Sequence, residues 1–261
     1  MPSLIETVRD GAVARVWLNR PEQHNALSPE LGSELAAELH DLAHDERVRV
    51  VVLGGRGASF CAGADIGAMK ASAHLSFEEN MAEAEKLARM FAAMGDFPKP
   101  VVGRIHGNVF GGGIGLTCAC DIAVAAEDAR FGITEVRLGI LPAVIGPFVT
   151  AKIGASAARA LFLTGGRFPA PQAHRLGLVH EVVPAGELDA VVDVVVRDLL
   201  LGAPSAQRRV KALLRAIVNR PAADVTPLTS AALADQRVSA DGQEGLAAFL
   251  EKRRAQWVVE P

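Results

Sequence analysis

The residue types with chemical potential in this chain gather in two glycine-containing segments. The first is Ser59-Phe60-Cys61-Ala62-Gly63-Ala64-Asp65-Ile66, and the second runs from His106 to Leu116 around Gly111-Gly112-Gly113. Glycines at a helix start let a ligand approach the backbone closely. They also leave the first N–H groups of that helix unpaired, with the positive end of the helix dipole behind them. Such a segment is either a tight packing turn or a cradle for a phosphate. No Lys-Ser/Thr follows the glycines, so they do not make a nucleotide phosphate loop.

Both segments must be carried by strands and helices, and the hydrophobic pattern supplies them. Apolar residues from Ile5 to Arg9 and from Ala12 to Leu18 flank Asp10-Gly11, a hairpin signal. Ser28-Pro29 reads as an N-cap and first helical position, followed by Leu31, Leu35, Leu39 and Leu42 at helical spacing to about His44. Val48 to Leu53 reads as a buried strand before the first glycine segment, and Val101 to Ile105 as another before the second. Between them, Ser76-Phe77-Glu78-Glu79 has the form of a capping box opening a helix to about Met94. The triple glycine breaks the chain before Ile114 to Cys120, and Asp121 to Ala125 is a further short strand. From about Ser156 helical patterns dominate, with one brief strand near Leu178 to Val183. The expected class is α/β, with residues 1–202 as a core domain and residues 203–261 as a helical appendage.

The chain has 261 residues, half of them hydrophobic and 22% charged, with a formal net charge of -3. Enough apolar material is present for a sizeable core, and no basic field exists to hold a nucleic acid. Cys61, Cys118 and Cys120 are too few for a disulfide framework and lack metal-ligand spacing, so they read as core filler. Neither a metal nor a resident cofactor is called for. The segment from Met1 to Thr7 lacks the charge and apolar run of a secretory signal, and no run reaches membrane-spanning length. A reducing cytoplasm is the expected compartment.

Taken in order, the motifs resemble those of the enoyl-CoA hydratase/isomerase (crotonase) superfamily over nearly the whole chain. Leu18-Asn19-Arg20-Pro21 with Asn25-Ala26-Leu27 is similar to the N-terminal motif of that family, and the two glycine segments to its two oxyanion loops. Cys120-Asp121, Phe131-Gly132 and Glu135 continue in register, and Glu244 to Arg253 resembles the terminal helix. The resemblance implies a spiral of ββα units with a C-terminal trimerisation region, assembled as a homotrimer or a dimer of trimers. It also implies an acyl-CoA thioester as substrate, with Ala64 N–H and Gly112 N–H as the oxyanion hole and Glu135 as the catalytic carboxylate. Ala62, Asp65 and Ile66 would lie along the coenzyme A moiety. Lys252, offered by a neighbouring subunit, would meet a phosphate.

Departures from the family pattern matter as much. The first glutamate of two-carboxylate hydratases falls on Gly115, a family lysine is replaced by Glu22, and a common basic position after the first loop holds Gly67, with Lys70 three residues on. The Gly115 departure and the Ala143-Val144-Ile145-Gly146-Pro147 string after Leu141-Pro142 are together similar to a bacterial subset that hydrates branched methylglutaconyl-type or carboxygeranoyl-type esters. Arg20, His24 and His106 stand beside the motifs as structural or surface groups, since the mechanism needs none of them. Hydration of an enoyl-CoA leads the readings. The alternatives are a Δ3,Δ2-enoyl-CoA isomerase, which also needs one carboxylate, and a non-catalytic binding protein on the same fold.

Overall fold

The computed structural model describes residues 3–258, so Met1 and Pro2, with which the leader reading begins, and the last residues of the expected appendage lie outside the described part. The chain begins with an antiparallel hairpin, β1 (Ile5–Asp10) and β2 (Val13–Leu18), turning at Gly11 as Asp-Gly predicts. Along β2 the side chains alternate, with Ala14, Val16 and Leu18 fully buried and Arg15 and Trp17 on the other face. Helix α1 (Pro29–His44) follows; its N-cap Ser28 accepts from Leu31 N–H at 3.2 Å, and Leu31, Leu35, Leu39 and Leu42 form its buried stripe.

Strand β3 (Val50–Gly55) is buried along its length, because Val51 and Leu53 face one core cluster while Val50 and Val52 face another. A parallel strand covered on both faces has this unbroken apolar composition. Helix α2 (Ile66–Ser72) and helix α3 (Phe77–Gly95) come next, the latter opened by the reciprocal Ser76–Glu79 capping box. Strand β4 (Val101–Ile105), the short β5 (Asn108–Phe110), helix α4 (Gly112–Ala119), β6 (Ile122–Ala126) and β7 (Arg130–Gly132) complete the part that carries the glycine segments. Then follow α5 (Gly146–Thr164), broken at Gly154, β8 (Arg167–Pro169), α6 (Ala170–Arg175), β9 (Glu181–Val183) and α7 (Leu188–Leu201).

The main sheet has six strands in the order β1-β2-β3-β4-β6-β9, parallel from β2 onwards, and α7 covers one face through Leu188, Val192 and Val196. A second sheet of three strands, β5-β7-β8, was not expected from the pattern. Its strands have three residues each, too few for a period to show.

The expected helical C-terminal region is present as α8 (Pro204–Ile217), α9 (Ala222–Val238) and α10 (Ala240–Leu250). Lys211 of α8 pins it to the core, donating to Asp121 at 2.6 Å and to the Lys99 carbonyl at 2.9 Å. Asp121 in turn accepts from Val101 N–H at 2.7 Å, which gives the Cys120-Asp121 motif a structural purpose. The three cysteines are free and buried, and burial pushes each thiol up to about 12, as befits inert filler. Among the described residues no helix is long and apolar enough to cross a membrane.

Candidate active site

The first glycine segment leaves the end of β3 and is laced to its surroundings through the backbone. Ala62 N–H donates to the His24 carbonyl at 2.9 Å, Leu27 N–H to the Gly63 carbonyl at 2.7 Å, and Asp65 N–H to the Leu27 carbonyl at 3.0 Å. These bonds bracket Ala64, whose own N–H meets no backbone acceptor among the described residues. The second segment is tied to the first: Cys61 N–H donates to Asn108 and Phe110 N–H donates back to Cys61, at 3.1 and 3.0 Å. Gly111 N–H then donates to the Gly132 carbonyl at 2.9 Å. Gly112, the first residue of α4, also has an N–H without a backbone acceptor among the described residues, as the start of a helix requires.

Gly111 makes this geometry possible. Its φ of 47° and ψ of -113° are closed to ordinary side chains, and a Cβ there would stand 3.0 Å from Glu135 Oε1 and 3.7 Å from the Gly63 Cα. The structure thus brings both loops and the Glu135 carboxylate together at one point. Glu135 opens a single-turn 3₁₀ helix (Glu135–Leu138) just beyond β7. Its Oε2 is buried with no hydrogen-bond partner, and burial raises the carboxyl above its usual range, opposed in part by the backbone N–H groups of Glu135 and Thr134.

Ala64 opens onto a cavity of 830 Å³ between α1, α2 and α3, with Leu27, Ala36, Leu87, Met90 and Ile140 among its walls. Small residues line much of the rest, including Gly32, Ala68, Ala84 and Ala93. Two unpaired N–H donors beside a carboxylate of raised pKa can hold an oxygen that gains negative charge while a proton moves nearby. Among the described residues no cluster of ligating side chains could hold a metal.

The remaining candidates are dispersed. Ala62 is half-buried beside Ala64, and Ile66 is 71% exposed at the start of α2. The Asp65 carboxylate is already engaged: it caps α2 through Ala68 N–H and pairs with Arg20 at 3.0 Å. Lys252 follows α10, exposed, in a stretch that packs at the opposite end of β3, where Arg49 donates to the Gly202 and Trp257 carbonyls. Within one chain it does not join the loops. Arg20 also donates to the Ala26 carbonyl, His24 bonds Ser59 Oγ and His106 bonds the Gly57 carbonyl, all structural contacts.

Sequence reasoning missed Asn25 as a separate element. It is fully buried, accepts from Arg20 N–H and donates to the Arg56 and Ser59 carbonyls at 2.9 and 2.7 Å. Its signal was present in the Asn25-Ala26-Leu27 string. Phe91, which packs over Gly115 with Ile145, had no signal, since nothing local connects positions so far apart, and Ile145 was visible only within the Ala143–Pro147 departure.

A family model described as enoyl-CoA hydratase/isomerase matches residues 9–259. The chain belongs to this family. A crystal structure of an enoyl-CoA hydratase from Shewanella pealeana is 38% identical, with a TM-score of 0.95, over 98% of this chain and 96% of that one. An enoyl-CoA hydratase structure from Mycobacterium smegmatis is 32% identical, with a TM-score of 0.93, over 98% and 100%. The short-chain-enoyl-CoA hydratase of Clostridium acetobutylicum is 31% identical over 252 residues, 94% of either chain. The crotonase fold expected from the motifs is therefore the fold of this chain, and its family membership spans both loops, Glu135 and the C-terminal helices.

Proposed function

We propose that the protein hydrates a 2-enoyl-CoA thioester, with Glu135 as the proton carrier and Ala64 N–H and Gly112 N–H as the oxyanion hole. What supports this reading is the meeting of the two loops at Gly111, where an added Cβ would stand 3.0 Å from Glu135 Oε1 and 3.7 Å from the Gly63 Cα, together with the buried Glu135 Oε2 that has no partner. Glu135 takes a proton from water as the water oxygen bonds to Cβ. The double-bond electrons move towards the thioester, and the resulting enolate oxygen is held by the two N–H groups. Glu135 then returns the proton to Cα, so that H and OH have been added and the carboxylate restored. Preorganised donors stabilise the enolate without rearrangement, and losing one such donor typically costs about 10²–10³ in turnover. No resident cofactor enters, because coenzyme A is part of the substrate.

The wide cavity lined by small residues supports a bulky or branched acyl chain. Ala62, Asp65 and Ile66 would flank the coenzyme A through the backbone, given that the Asp65 carboxylate is engaged by Arg20. Lys252 would reach a phosphate only from a second subunit. A trimer or paired trimers would supply that subunit, and the exposed Leu246, Phe249 and Leu250 of the C-terminal region support such an assembly.

One observation favours a second reading. The space over Gly115 is packed with Ile145 and Phe91, so Glu135 stands without a second carboxylate there, and a Δ3,Δ2-isomerase would need no other. The test is to supply a 2-enoyl-CoA and a 3-enoyl-CoA separately while following the conjugated thioester absorbance. Loss of absorbance with the 2-enoyl ester, accompanied by 3-hydroxyacyl-CoA, is expected. Gain with the 3-enoyl ester and no hydroxy product from any 2-enoyl ester would establish the isomerase instead.

A further inference from the structure

Nothing in the fold itself calls for glycine at position 32. Gly32 is the fourth residue of α1, and its N–H donates to the Ser28 carbonyl at 3.0 Å as any helical residue would. Glycine inside a helix is less stable than alanine, because its backbone gives up more freedom on folding. Close packing is the usual compensation: a Cβ on Gly112 would stand 2.5 Å from Leu27 Cδ1, and one on Gly115 2.5 Å from Ile145 Cγ2. Gly32 has no such neighbour. Among the described residues it is the one buried glycine at which an added Cβ would meet nothing within 4 Å.

The space left there belongs to the cavity onto which Ala64 opens. Leu27 stands at the same end as Ala64, to which it is bridged through the backbone. Helix α1 starts just after Leu27 and leads away from it, so Gly32 and then Ala36 line the cavity at increasing distance from Ala64. Both lie on one face of the helix, and Leu87 and Met90 of α3 line the same cavity. A side chain at position 32 would therefore project into this volume. A carbon of an acyl chain takes about as much room as a water molecule, about 30 Å³. A four-carbon acyl group thus leaves most of the 830 Å³ unfilled, whereas a longer chain covers more of the apolar lining. We propose that Gly32 is a specificity-determining residue: by leaving the α1 side of the cavity open beyond Ala64, it admits medium-chain 2-enoyl-CoA esters and favours them over four-carbon ones. The inference rests on the hydration proposed above and names its substrate class.

The experiment compares 2-butenoyl-CoA with 2-decenoyl-CoA. In the wild-type enzyme kcat/KM should be at least about 10-fold higher for the decenoyl ester, because its added methylenes find an apolar lining. Gly32→Leu fills the opening with a good helix former and should lower the decenoyl-to-butenoyl ratio by at least about 10-fold. Gly32→Ala should melt no lower than the wild type, since alanine improves the helix and its methyl meets empty space. An unchanged ratio in Gly32→Leu overturns the proposal, and so does a wild-type preference for the butenoyl ester. A lower melting temperature in Gly32→Ala also overturns it, because the fold would then require the glycine. Failure of the hydration reading looks different: no ester yields a 3-hydroxyacyl-CoA. The cavity is then read by calorimetry with butanoyl-CoA and decanoyl-CoA, where Gly32→Leu should lower the decanoyl-to-butanoyl affinity ratio by a similar factor, and an unchanged affinity ratio sinks the proposal on its own.

Discussion

At the scale of single residues, the role proposed for Glu135 sets two opposed demands. Its buried, unpartnered Oε2 makes ionisation costly, yet a base must be ionised to take a proton from water. Burial raises its pKa, so the acid limb of kcat/KM should fall above the ordinary carboxylate range, with activity lost as pH drops through the raised value. Glu135→Gln keeps the shape and removes the base. Turnover should fall by about 10²–10⁴ while binding of a saturated acyl-CoA persists, as steady-state assay and calorimetry would read. More than a third of wild-type turnover in that variant would remove Glu135 from the mechanism. Stability should move the other way. A carboxyl whose folded pKa lies above its unfolded value stabilises the fold when protonated, below the unfolded pKa, and that contribution is lost as pH rises through the folded pKa. At pH 7 the glutamine variant should therefore melt higher than the wild type, and the advantage should vanish as pH falls into the ordinary carboxylate range. A lower melting temperature at pH 7 would show that the carboxylate is compensated in a way its surroundings do not reveal.

At the scale of elements, the site is a matter of where two loops are held. Asn25 fastens the first: with φ of 55° it sits under the loop and satisfies three backbone groups that would otherwise be buried unpaired. Asn25→Ala leaves those groups without partners at about 1–3 kcal/mol each before relaxation. Melting temperature should drop, and kcat should fall by more than KM rises, because a displaced Ala64 N–H weakens the transition state rather than ground-state binding. Unchanged kcat with a lowered melting temperature would separate the loop's stability from its chemistry. The same elements show what the sequence could reveal. Capped, periodic segments such as α1 and α3 announce themselves, because Ser28, Ser76 and Glu79 make local bonds and the leucine stripe repeats within the segment. The two glycine loops were legible through their glycines, and Glu135 only through its place in a family order. Strands β5, β7 and β8 were not legible, since three residues hold no period. The wall over Gly115 was hidden for another reason: Phe91, Gly115 and Ile145 meet only after α3, α4 and α5 have packed.

At the scale of the whole molecule, the C-terminal helices present a surface that one chain leaves unfinished. Phe249 is 81% exposed and Leu250 78%, at the end of α10, and Leu228, Leu233 and Leu246 are exposed nearby in sequence. Single exposed leucines are ordinary, but a run of large apolar groups on consecutive helices marks an interaction surface. Self-association in closed symmetry would cover it, and would also be the way for Lys252 to approach the coenzyme A side of another subunit. Light scattering with size-exclusion chromatography should accordingly give a mass of three or six chains. Phe249→Asp with Leu250→Asp should shift that mass towards one chain and raise KM for the acyl-CoA, whereas Lys252→Ala should raise KM without altering the mass. Removing residues 203–261 is the harsher experiment. It strips Lys211 from Asp121 and the Trp257 region from Arg49, baring core as well as interface, so aggregation is expected. A soluble, active monomer after that truncation would mean that residues 3–202 complete the site alone and that the apolar helices serve some purpose other than assembly.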